Sequence, residues 1–202
     1  MRVLKHFSRL ATMLRFRRDQ DGHAVIEFVM VMTLLALVAA LPVSAYGYYA
    51  AIGRDTKARY AVADALSRET KNITPDYLDT MHNLYKQLSG GGEATGIRIT
   101  MVDYDPSTKK YRVRWFRTRI GSQMSDLKDE APSADLLKNS LPTLTDYEGI
   151  VLVETYFNYN PVDLFVGFKP LLVRQQALAR LRNAAQLCVT NTSDPESINR
   201  TC

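Results

Sequence analysis

Gly22-His23-Ala24-Val25-Ile26-Glu27-Phe28 leads into the longest uncharged run of the chain. Residues 28–53 carry no charged side chain. As a helix rising about 1.5 Å per residue, that run extends roughly 39 Å, enough to cross a hydrocarbon core of about 30 Å. Glu27 stands alone at its entrance. A basic tail lies in front, and the polar bulk of the chain lies behind.

The chain has 202 residues and a net charge of +5. Residues 1–22 hold Arg2, Lys5, Arg9, Arg15, Arg17 and Arg18 against Asp19 and Asp21, a sum of +4, so the remainder carries only +1. The basic excess is therefore a topology signal rather than a nucleic-acid surface. Lys and Arg beside a span stay cytoplasmic and send the C-terminal part outward. This gives a leader at 1–22, a transmembrane helix at 23–53, a helical extension at 54–90 and a strand-rich exported domain at 91–202. The fold class is α+β, with a small antiparallel sheet behind a long N-terminal helix.

Pro42 lacks a backbone donor and predicts a kink or break in the span. Tyr46, Tyr48 and Tyr49 suit the outer membrane–water interface. Past Ile52 the pattern becomes amphipathic. Ala51, Ala58, Val62, Ala65 and Leu66 share one side, and Arg54, Asp55, Lys57, Arg59, Asp64 and Arg68 lie elsewhere. Thr74 caps and Pro75 starts a helix reaching about Leu88. Gly90-Gly91-Gly92 stops it as a hinge or linker.

The period then changes to two. Ile97, Ile99 and Met101, then Tyr111, Val113 and Trp115, make an antiparallel hairpin around an Asp105-Pro106-Ser107-Thr108 turn. Residues 149–159, apolar on both faces, read as a central strand. Residues 121–148 hold six Asp or Glu against two Lys and form a surface excursion, with a turn or two of helix at 132–139. Residues 171–182 fit a strand or a helix; a sheet's need for a pairing partner favours the strand. The tail past Val189 is expected to be loose, apart from Cys188 and Cys202. An even pair of cysteines in an oxidising compartment favours one disulfide; two separate thiols are the alternative.

Gly22, four residues, Glu27-Phe28, a basic leader before and a long apolar run behind resemble the processing site of type IV pilin-like proteins. A single N-terminal span, a strand-rich exported domain and a Leu-Cys near the C-terminus narrow this to a similarity with the TadE-like minor pilins of the tight-adherence, or Flp-type, pilus. The motif covers about 30 residues closely; the exported domain is similar in layout. The resemblance implies cleavage by a prepilin peptidase between Gly22 and His23. It also implies that Glu27, with Phe28 beside it, sets register against the new amino group of a neighbouring subunit. It further implies a bacterial inner-membrane protein with a cytoplasmic N-terminus and a periplasmic domain, destined for a pilus and adhesion. The family usually has an apolar aromatic, often N-methylated, where this chain has His23.

The chemistry of the motif fits. A carboxylate costs about 2.5–3.5 kcal/mol at the centre of a span, less near an interface, and is tolerated when it finds a partner. Gly22 has no Cβ and lets an extended backbone enter a peptidase site. Val43-Ser44-Ala45 offers a rival signal-peptidase cut after Ala45, although 27 residues ahead of the apolar core is long for a signal peptide. Catalytic signals are thin: no nucleophile elbow, P-loop or paired-histidine metal motif occurs. His82 reads as a surface or half-buried side chain. Residues 103–114 lack the glycine and glutamate of a calcium loop. Arg112, Arg114, Arg117 and Arg119 read as a solvated strand face meeting the acidic 121–148 segment or a neighbouring subunit, not nucleic acid. No cofactor, metal or enzymatic activity is expected. An uncut envelope scaffold and an anchored enzyme are the other classes.

Overall fold

A computed structural model describes residues 21–108, 110–124, 141, 148–160 and 169–202. The leader at 1–20, the helical turns expected at 132–139 and most of the acidic excursion lie outside the described residues. The chain divides into two compact units, Met1–Tyr46 and Gly47–Cys202, with the division inside the 23–53 segment.

In the first unit, helix α1 begins. It spans Asp21–Arg68 and passes Pro42 without interruption. Of the kink or break expected at Pro42, the break does not occur. One proline removes a single ladder bond, and the turns on either side hold the helical path.

In the second unit, α1 from 47 to 68 turns a buried stripe inward: Asp55, Ala58, Arg59, Val62, Ala63, Leu66 and Ser67. The spacing is that of one helical face, but the face is not the purely apolar one expected. Asp55 and Arg59 lie on it rather than elsewhere. Helix α2, Pro75–Ser89, follows its signals closely. The Thr74 hydroxyl accepts from the Tyr77 amide at 3.1 Å, and Pro75 sits where a missing amide costs nothing. Leu78, Met81, His82, Tyr85 and Ser89 form its buried side. His82 is thus 5 % exposed, deeper than expected, because it sits four residues after Leu78 on that stripe.

The three glycines form a tight cap rather than a hinge. Gly90 and Gly92 take positive φ, 72° and 54°, where a Cβ would be strained. The Gly90 amide donates to the Lys86 carbonyl at 3.1 Å, and the Thr95 hydroxyl donates to the Gly92 carbonyl at 2.5 Å. These bonds close the helix end and launch the first strand.

Four antiparallel strands follow: β1 Thr95–Asp105, β2 Lys110–Ile120, β3 Gly149–Tyr159 and β4 Leu171–Arg180, in sheet order β2-β1-β3-β4. The ambiguous 171–182 segment is therefore a strand. Ile97, Ile99, Met101, Trp115, Val151, Val153 and Ala177 join the inward stripes of α1 and α2 in one core. Val102, Ile150 and Leu152, with Leu141, form a second cluster on the opposite face.

A register shift divides the apolar set of β2. Met101 pairs with Trp115 and Val102 with Val113, leaving Arg114 as the extra residue of a bulge. Trp115 therefore enters the helix-side core, whereas Val113 and Tyr111 pack on the other cluster. Strict alternation had placed all three on one face.

The C-terminal tail is tied down, not loose. Cys188 and Cys202 are joined in a disulfide. Short strands β5 Val189–Thr190 and β6 Arg200–Thr201 pair with each other. The Ile73 amide donates to the Cys188 carbonyl at 2.8 Å, the Thr190 amide to the Ile73 carbonyl at 2.9 Å, and the Asn72 side-chain amide to the Pro195 carbonyl at 2.7 Å. Trp115 Nε1 donates to the Leu187 carbonyl at 2.7 Å. The α1–α2 corner supplies the partners that sequence inspection of the tail alone could not show.

Candidate assembly site

Gly22, His23, Glu27 and Phe28 all lie in the first turns of α1, and all are exposed. His23 and Glu27 are four residues apart, so they lie on one helical face about 6 Å from each other. The Gly22–His23 bond lies at the start of the described part of α1. A Cβ at Gly22 would meet no atom within 4 Å, so the fold itself does not demand glycine here. Any demand for it must come from outside the folded chain.

Behind this entrance the helix is apolar on every side. No residue from 22 to 39 is better than exposed; Phe28 is 62 % exposed and Leu41 72 %. Thirteen large apolar side chains from Val25 to Val43 stand open. Burying such a side chain stabilises by about 1.5–3 kcal/mol, and half of each remains to be covered, so the run forgoes on the order of 10–20 kcal/mol in water. That equals or exceeds the whole stability of an ordinary domain, about 5–15 kcal/mol. The run is long and apolar enough to cross a membrane. Within it, Thr33 Oγ1 donates to the Met30 carbonyl at 2.8 Å inside the helix, which suits that setting.

Two buried charge clusters in the second unit were not foreseen. In the first, Arg59 Nη1 donates to Asp55 Oδ2 at 2.7 Å, and the Tyr85 hydroxyl donates to Asp55 Oδ1 at 2.6 Å. Burial and the Asp55 charge push the Tyr85 hydroxyl well above its ordinary pKa. In the second, Arg98 Nε donates to Glu154 at 2.6 Å, Arg174 binds the other carboxylate oxygen, and both guanidiniums lie over the Tyr156 ring. Burial opposes the Glu154 charge, but the two arginines outweigh it and hold its carboxyl below the usual range. Burial and Glu154 push the Tyr156 hydroxyl up to about 12. The i, i+4 spacing of Asp55 and Arg59 was a usable signal; the cross-strand meeting of Arg98, Glu154 and Arg174 required the register.

The β2 arginines find partners within the chain. Arg112 and Arg114 both bind Asp103, Arg117 binds Asn191 and Arg119 binds Asp79. Burial disfavours the Asp103 charge, yet the two arginines hold its carboxyl below normal. His82 lies 3.3 Å from the Thr95 carbonyl; burial and Lys86 lower its pKa. Among the described residues no group of three His, Cys, Asp or Glu is placed to hold a metal ion. A small cleft lined by Arg54, Asp55, Asn158 and Asn160 includes a carboxylate already bonded to Arg59 and Tyr85.

Comparison with family models, curated proteins and solved structures finds no match to this chain.

Proposed function

We propose that this chain is a minor pilin of the TadE-like kind, working by assembly rather than catalysis. The observation that carries the reading is a helix exposed and apolar on all sides, with one acid at its mouth five residues after a glycine the fold does not require. A prepilin peptidase cuts between Gly22 and His23. The run from Phe28 holds the protein in a bacterial inner membrane, with the leader cytoplasmic and the sheet domain periplasmic. On extraction into a pilus, neighbouring pilin helices replace lipid around the run. Glu27, with Phe28 beside it, then meets the amino group of an adjacent subunit. In a low-dielectric bundle a wrong register strands that carboxylate without a partner, at a cost of several kcal/mol.

Sequencing the N-terminus of the membrane-bound protein tests the first step. A start at His23 supports the reading. A start at Met1 points to an uncut anchor, and a start at Tyr46 to secretion. Gly22→Phe should leave an uncut precursor; normal processing of that variant removes Gly22 from the mechanism. Glu27→Ala should be cut and inserted yet fail to enter pili; wild-type pili from it would remove the acid from registration.

A further inference from the structure

We infer that the β3–β4 end of the sheet is a second lipid-contacting patch, resting in the membrane interface beside the exit of the helix. The inference rests on reading the apolar run as a membrane anchor.

Residues 47–53 are the last uncharged part of α1, and they belong to the folded unit. There Tyr48 packs edge-on against Tyr159, ring centroids 5.3 Å apart, at the last residue of β3. The approach is close: a Cβ on Gly47 would lie 2.9 Å from the Tyr159 hydroxyl. Tyr159 pairs in register with Leu171, the first residue of β4. The tip of the sheet is thus fixed at the level where the uncharged helix ends.

At that level large apolar side chains stand exposed beside the polar Arg54, Asn158 and Asn160. Leu171 and Leu172 point to opposite faces of the strand, and each is 51 % exposed. Tyr49 is 70 % exposed on the adjoining helix turn. Exposed leucines on both faces of one strand end are not a core edge, which would cover one face. Tyrosine and leucine together, with Lys169 beside them, are the composition of a membrane interface: aromatic rings at headgroup depth, aliphatic groups below, and a cation among the phosphates. Interfacial segments sink about 5–10 Å into the headgroup–acyl boundary, a depth within reach of a strand end held at the helix exit.

The test uses the full chain reconstituted in phosphatidylcholine vesicles with acyl chains brominated near the headgroup. Trp115 is the chain's single tryptophan and is buried, so the wild type supplies the blank. Leu171→Trp should lose much of its added emission in brominated vesicles relative to unbrominated ones, as a ring at headgroup depth does. Leu172→Trp reads the opposite face and serves if the first variant misfolds. Emission unaffected by bromine overturns the proposal. Emission shifted to the blue yet unquenched indicates a protein neighbour, and overturns it too. Val38→Trp, read with deeply brominated lipid, reports on the anchor separately. Quenching at Val38→Trp without quenching at the strand end leaves the anchor standing and removes the second patch.

Discussion

Removing the carboxylate of Asp55 should be the most damaging small change in the folded unit. Asp55 and Arg59 are 1 % and 4 % exposed, with 2.7 Å between Oδ2 and Nη1. Asp55→Asn keeps the shape but removes the negative charge and leaves one acceptor oxygen for two donors, Arg59 and Tyr85. Arg59 then loses its counter-charge, its contact to the Thr56 hydroxyl is a marginal 3.5 Å, and its Nε already lacks a hydrogen-bond partner. An uncompensated buried charge of this kind costs about 3–5 kcal/mol. The pair itself adds much less than that, because both ions were desolvated to form it. Asp55→Leu combined with Arg59→Met, and with Tyr85→Phe to remove the buried hydroxyl that loses its acceptor, should therefore lie close to wild type, far above any charge-stranding single variant. Denaturant unfolding of the full chain in detergent, followed by Trp115 fluorescence, measures all of these against one native baseline. A loss below about 1 kcal/mol for Asp55→Asn, or a triple variant worse than Asp55→Asn, would overturn this account.

Other outcomes follow from the same packing. Cys202→Ser opens a loop whose ends are 14 residues apart, and the chain-entropy estimate puts the loss at about 3 kcal/mol; unfolding with and without reductant reads it, and Ile73 and Thr190 amides should lose exchange protection first. Gly121→Ala drives a Cβ into the Glu93 backbone, which has no flexible end to give, so a loss of about 1–3 kcal/mol is expected by the same unfolding assay. Acid should weaken the fold in two stages. His82 is depressed below its ordinary 6.5, so its stabilisation is complete above that pH and fades as pH falls past it. Glu154 is depressed below 4.5 and Asp103 below 3.8, and their share is lost below those values. Tyr85 is raised above 10.0, so its share is present below pH 10 and is lost as pH climbs beyond it. Stability measured across pH should show His82→Gln flattening only the first acid stage; an unchanged profile would remove His82 from it.

How much of this was legible in the sequence depends on where each residue's partner lies. The Thr74-Pro75 start of α2 and the Asp105 turn were legible because their partners are two or three residues away. The exposed run was legible because it needs no partner within the chain at all. The face of α1 is not legible because charge reads as a sign of solvent, whereas Asp55 is held by Tyr85, 30 residues on. The bulge at Arg114 was invisible for a related reason. Nothing in Tyr111-Arg112-Val113-Arg114-Trp115 marks an inserted residue until Met101 and Val102 face it. The tail looked loose because its acceptors and donors belong to Asn72 and Ile73, more than a hundred residues earlier.

The same rule separates the assembly site from the rest of the chain. Among the described residues, Gly22, Glu27 and Phe28 meet no side chain that explains them, and a Cβ at Gly22 would have no atom within 4 Å. Asp55 and Glu154, equally acidic, are each explained by named partners at hydrogen-bond distance. An acid with an internal partner is a matter of stability, and replacing it should change unfolding. An acid with none among the described residues, at the head of an apolar run, should leave unfolding of the sheet domain unchanged and alter only what the chain joins. Glu27→Ala and Asp55→Asn, compared side by side for unfolding and for entry into pili, put that division to the test. If Glu27→Ala also destabilised the sheet domain, the acid would be part of the fold and the argument from its isolation would fail.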